Sequence, residues 1–137
     1  MNALKLIALA ANVLASQPNP EHITPEELAA FAVVESSGDE GIWGDNGTAY
    51  GLYQFHLPRW LENGGTRAEW GRASAHTQTE VMLRALTKYA AKARAAKADR
   101  LTWLATSHNN GHGKYRQTAY SKKINAALKG MRQRRKV

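Results

Sequence analysis

The chain contains no cysteine, and none of its eleven acidic residues lies beyond Asp99. The first absence excludes a disulfide-stapled mini-protein and a thiolate-ligated zinc site. No apolar run approaches the roughly 20 residues that a spanning helix needs, so an integral membrane protein is not expected. Internal repeats are absent, as is a glycine loop of the kind that cradles phosphate. What is present is a basic chain of 137 residues, 43% hydrophobic with scattered aromatics. That length fits one domain, residues 1–137, burying roughly two-thirds of its unfolded surface around a single core.

The net charge of +8 is unevenly placed. Residues 1–100 carry ten bases against eleven acids, whereas residues 101–137 carry nine bases and no acid. A one-sided positive field attracts polyanions, whether nucleic acid, anionic lipid or the acidic polymers of a bacterial wall, and charge alone does not choose among them. Met131–Val137 reads either as such a basic contact or as a frayed, solvated tail. At the other end, Lys5 ahead of Leu6–Ala15 has the outline of a short signal segment. Leu4, Ile7, Ala8, Ala11 and Leu14 also recur at helical spacing, and with a single lysine ahead of them a first core helix is the better reading.

The remaining signals are nearly all helical, and the expected fold class is mainly α with at most a small irregular hairpin near residues 42–53. Thr24-Pro25-Glu26-Glu27 is a capping box with proline at the first helical position. It opens a helix that runs through Phe31 to Glu35 or Ser36 and stops at Gly38. Pro58 starts a short helix carrying Trp60, which Gly64-Gly65 ends. A long helix is expected from Gln78 to Ala98 with Thr77 as its cap. Another should cover Leu101–Ser107, followed by a polar turn at His108–Gly113, and a last one Thr118–Leu128.

Glu35 is the first candidate for chemistry. It ends an apolar helix where the chain enters a glycine-rich loop. The helix dipole and desolvation both disfavour its ionised form there, which suits a proton donor near neutral pH. Taken alone it reads better as an exposed last-turn glutamate. It is followed, however, by Asp45 within Trp43-Gly44-Asp45-Asn46-Gly47, by Tyr50-Gly51-Leu52-Tyr53-Gln54-Phe55-His56, by His108-Asn109-Asn110-Gly111 and by Tyr120. Glycines let backbone approach a ligand, the amides and tyrosines supply directional hydrogen bonds, and aromatic faces suit sugar rings. That is the composition of a carbohydrate cleft. His56, His108 and His112 lack the spacing of a metal site, and no metal or cofactor is expected.

The ordered set Glu35-Ser36, Gly51-Leu52-Tyr53-Gln54, His108-Asn109-Asn110-Gly111 and Tyr120 resembles the lysozyme-like soluble lytic transglycosylases and the related goose-type lysozymes, including phage-borne relatives. The likeness runs over residues 24–128 and implies a lysozyme-like domain that cleaves the β-1,4 bond between N-acetylmuramic acid and N-acetylglucosamine in peptidoglycan. By that resemblance Glu35 is the catalytic acid, Ser36 its helper and Tyr120 the last-helix tyrosine that reaches it. Tyr50, Gly51, Leu52, Tyr53, Gln54, His56, His108, Asn109 and Gly111 line the substrate cleft. Trp43-Gly44-Asp45 is similar to the goose-type segment whose aspartate positions water. Tyr53 stands where methionine is common, His108 where tyrosine is usual, and His56 where a second goose-type aspartate falls. That last departure tilts the expected outcome towards a 1,6-anhydro product over hydrolysis. The resemblance also implies a monomer acting in the periplasm or cell wall, as a phage lysis or virion protein or an exported bacterial enzyme. Two other classes compete: a wall-binding module that grips glycans without cutting them, and a nucleic-acid binder using the acid-free third, which leaves the Glu-Ser and Gly-Leu-Tyr-Gln segments unexplained.

Overall fold

The computed structural model describes residues 1–110 and 118–135. Six helices occur among them: α1 Ala3–Ser16, α2 Pro25–Ser36, α3 Leu57–Glu62, α4 Ala75–Ala95, α5 Arg100–Asn110 and α6 Ala119–Arg135. Three two-residue strands, β1 Trp43–Gly44, β2 Ala49–Tyr50 and β3 Phe55–His56, form an antiparallel sheet in the order β1-β2-β3. The chain is thus mainly α with a small sheet, as the helical signals lead one to expect.

The organising element is α2. The Thr24 hydroxyl accepts from Glu27 N at 3.1 Å while the Glu27 carboxylate accepts from Thr24 N at 2.9 Å, closing the capping box read from the sequence. The same carboxylate takes both arms of the Arg100 guanidinium, at 2.9 and 3.1 Å, tying the start of α2 to the start of α5. Leu28 through Ala32 are buried without interruption, so α2 is enclosed on all sides instead of lying on the surface by one stripe. Small residues at 29, 30 and 32 let neighbouring helices approach it, and α1 and α6 pack directly against it.

Helix α1 does form, with Asn2 capping Lys5 N. Its buried stripe is Leu6, Ala10 and Val13, whereas Leu4 is 66% exposed. The sequence reading chose a face rotated away from the true one, because an alanine-rich helix offers apolar residues all round.

Three helices also differ from expectation in their bounds. Helix α4 starts three residues early because the Ser74 hydroxyl, not Thr77, caps it by accepting from Thr77 N at 3.1 Å; it ends by Ala95, before Lys97 turns left-handed at φ 54°. Helix α5 continues through His108 to Asn110, so His108 and Asn109 stand on its last turn and not in a loop. Helix α6 extends to Arg135 and keeps Met131 in the core, so the basic residues after Leu128 begin on a packed helix. Reciprocal bonds between Thr118 and Ser121 fix its start. One apolar cluster draws on all six helices and on the sheet through Phe55. Among the described residues no helix is long and apolar enough to cross a membrane.

Candidate active site

The site is built where α2 ends. Ser37 adopts the left-handed conformation and Gly38 follows at φ +80°, turning the chain out of the helix just after Glu35. Glu35 is therefore held by a rigid, buried helix on one side and released to the surface on the other. No basic residue occupies the last turn of α2 to offset the carbonyl end of the helix dipole. Burial pushes the Glu35 carboxyl up to about 7, and the charge of Asp45 pushes the same way. Tyr120, at the start of α6, opposes them by holding its hydroxyl near the carboxyl. That hydroxyl is buried, is not aligned as a full hydrogen bond, and is itself made much less acidic by burial and by Glu35. The result is a carboxylic acid that keeps its proton to the edge of neutrality, with Asp45 acting on it from the loop that follows β1.

Asp45 reaches the site on the loop between β1 and β2. Asp45 and Asn46 both hold left-handed backbone, at φ 48° and 57°, which their short polar side chains tolerate. Across the sheet, Ala49 pairs with both Gly44 and His56, which brings the loop and β3 together. His56 Nε2 lies 3.0 Å from Asp45 Oδ2, in solvent at the mouth of the site.

Gln54 is placed by its surroundings in detail. It too has a positive φ, 51°, costly for a residue of its size. Its Nε2 donates to Gly51 O at 3.0 Å and to Ile42 O at 3.3 Å, leaving the amide oxygen against Gly44. A Cβ on Gly44 would run into that oxygen, so a larger residue there would push the Gln54 amide out of this position.

Beneath this surface lies a supporting layer that the sequence reading assigned to the substrate or missed. Leu52 and Tyr53 were expected to line the cleft, but both side chains are buried in the core, and Tyr53 Oη bonds Thr79 at 2.9 Å. They cannot meet a sugar; they hold the floor from below. Ser36 is likewise turned inward, donating to Ala32 O at 2.9 Å and accepting from Gly38 N at 3.2 Å, so it shapes the helix end and does not reach the cleft. Gly51 sits at φ +84° over Gln78. Gln78 is the main omission: buried, it donates to Ala73 O and Glu40 O at 2.9 Å and accepts from Leu52 N at 2.8 Å, binding three segments of the site together. Its signal was available, since a glutamine in phase with buried Val81, Met82 and Ala85 is a polar group on an apolar stripe.

His108 is 8% exposed, wedged edge-on between the rings of Phe31 and Phe55. Its Nε2 donates to Tyr53 O at 2.8 Å, which leaves Nδ1 a buried acceptor without a partner. Burial lowers its pKa to about 4, consistent with a neutral ring that props the Tyr53–Gln54 turn. Arg59 caps the end of α5 by donating to Ser107 O at 2.6 Å and His108 O at 3.0 Å.

No protein-family model, curated protein or solved structure matches this chain. The geometry therefore stands on its own. Tyr120 and Asp45 each act on the Glu35 carboxyl, and Asp45 bonds His56. Gln54, His56, His108 and Asn109 share the wall of one cavity of about 360 Å³, with Glu35 outside that wall. Tyr50 is largely buried beside Trp43, its hydroxyl kept neutral by burial and by the charges of Glu40 and Asp39. Gly111 lies outside the described residues. A larger cavity, about 960 Å³, opens at the other end of α2, where Arg94 and Arg100 are already paired with Glu21 and Glu27. Among the described residues no cluster of three or more His, Asp or Glu is arranged to hold a metal ion.

Proposed function

We propose that this chain cleaves peptidoglycan glycan strands at the MurNAc-β-1,4-GlcNAc bond, as a lytic transglycosylase with Glu35 as general acid and then base. The observation that carries the reading is the Glu35 carboxyl, raised to about 7 by burial at a helix end beside Asp45 and Tyr120. An acid so placed donates its proton to the glycosidic oxygen as the C1–O bond breaks and positive charge grows on the ring. The substrate's own 2-acetamido oxygen stabilises C1. Its 6-hydroxyl then attacks C1 and returns a proton to Glu35, closing a 1,6-anhydro ring without adding water. Gln54 and Asn109 offer amide groups for orienting the strand. The Asp45 Oδ2 is engaged by His56.

That same pair supports a second reading, in which Asp45 and His56 hold a water against C1 and the product is hydrolysed. Digestion of purified peptidoglycan by the wild type and by Glu35→Gln, followed by mass spectrometry, tests both. New chain ends should vanish in Glu35→Gln; equal cleavage by the two proteins eliminates the acid. Products about 18 mass units lighter than the hydrolysed fragments mark ring closure, because one water has not been added. Such an enzyme works in the periplasm or cell wall, as a phage protein or an exported bacterial one, and as a monomer. Exposed Lys122, Lys123 and Lys129 on α6 give it a weak, salt-sensitive contact with anionic polymer.

A further inference from the structure

Trp43 is 45% exposed on a two-residue strand, an unusual position for the largest of the side chains, which is highly buried on average. It is nevertheless held firmly. Tyr50, its partner in the β1–β2 ladder, lies with ring centroids 4.9 Å away, and Trp70 meets it edge-on at 5.2 Å and 88°. Trp70 is itself anchored by Nε1 donating to Phe55 O at 3.2 Å. Gly71 completes the mount: at φ +90°, it leaves a gap that a Cβ would close to 2.9 Å from the Trp43 ring. Tyr50, Trp70 and Gly71 thus fix an indole that folding alone gains little by leaving in water. Asp45 lies two residues further on, and Gly44 between them is the residue on which Gln54 rests.

We propose that Trp43 is a sugar-stacking platform that binds the apolar face of an N-acetylated pyranose beside the Glu35 site. The inference rests on the glycan-cleaving reading above and adds to it a binding residue and its ligand chemistry. A β-1,4-linked N-acetylhexosamine ring carries its substituents equatorially, so each face presents axial C–H groups of slight positive charge. Those groups complement the negative face of an aromatic ring. A ring already fixed by Tyr50 and Trp70 loses little conformational entropy on binding, which makes the contact effective.

The experiment is done in the Glu35→Gln background, so that binding is read without turnover. Chitotetraose is titrated by calorimetry against proteins carrying Trp43, Trp43→Phe or Trp43→Leu, with circular dichroism confirming the fold of each. Affinity should fall about tenfold in Trp43→Leu, the scale of a lost aromatic anchor, and only about two- to threefold in Trp43→Phe. In the active enzyme, Trp43→Leu should raise KM with little change in kcat. Equal affinity for Trp43 and Trp43→Leu overturns the platform. That result is distinct from failure of the enzymatic reading, which shows as wall cleavage by Glu35→Gln whatever stands at position 43.

Discussion

The two ends of α2 carry the same residue type in opposite circumstances. Glu27, at the start, is held by donors: the Thr24 amide and both arms of Arg100. Glu35, at the end, faces carbonyls, apolar surface, a tyrosine and a second acid. The first arrangement satisfies a negative charge and so contributes to stability. The second offers the carboxylate only a poorly aligned tyrosine hydroxyl against burial and a like charge, which costs stability and produces an acid. Position on one helix, through the direction of its dipole and the neighbours at each end, sets the difference.

Exchanging the two roles by mutation should separate them. Glu35→Gln is expected to have the largest effect, lowering glycan cleavage by roughly 10²–10⁴-fold, the range that general acid catalysis spans. It should also stabilise the protein in a pH-dependent way. Because the folded carboxyl titrates near 7 against 4.5 when free, the native state holds its proton more tightly. The stability this gives the neutral form is complete below about pH 4.5 and is lost as pH rises through 7. Thermal melts of Glu35→Gln should thus match the wild type near pH 4 and exceed it at pH 8.

Glu27→Ala should do the reverse. Loss of the cap and of the Arg100 pair is expected to cost about 2 kcal/mol by urea denaturation, with activity per folded molecule unchanged. A drop in specific activity without a drop in stability would show that the two ends are not independent.

Finer changes at the Glu35 end test what sets its proton affinity. Asp45→Asn removes a like charge, so the alkaline limb of the pH–activity profile should move to lower pH, by up to about one unit. Tyr120→Phe removes a group that favours the ionised form, so the same limb should move to higher pH, by a few tenths of a unit. Shifts of the same sign in both variants would mean that Glu35 is not the titrating group.

Much of the fold was legible because its signals are local. The Thr24–Glu27 box, Pro25 and Gly38 marked α2, and with it Glu35, to within a residue. The errors have physical causes. Alanine-rich α1 has no unique apolar face, so its stripe was misplaced. Ser74 and Thr77 are both competent caps, and only the packed structure selects one. The Gly-Leu-Tyr-Gln run was read as a surface that touches substrate, yet residues 51–54 form a turn that sends both Leu52 and Tyr53 inward while Gln54 alone stays partly open. Gln78 and Arg59 went unnoticed because nothing adjacent to them in the chain is what they hold: Gln78 bonds across 38 residues to Glu40, and Arg59 across 48 to Ser107.

By itself the sequence determined where α2 begins and ends, that its last turn carries an acid and no base, and that the loop beyond it is short, glycine-rich and aromatic. Each of these depends on residues within a few positions of one another. Only the tertiary structure decided that Tyr120 and Asp45 would stand near that acid, that His56 would bond Asp45, and that Tyr53, Leu52 and Ser36 would serve as support below the surface. Those outcomes depend on how far water is excluded from one carboxyl and on which distant groups replace it, and a linear order of residues does not contain either quantity.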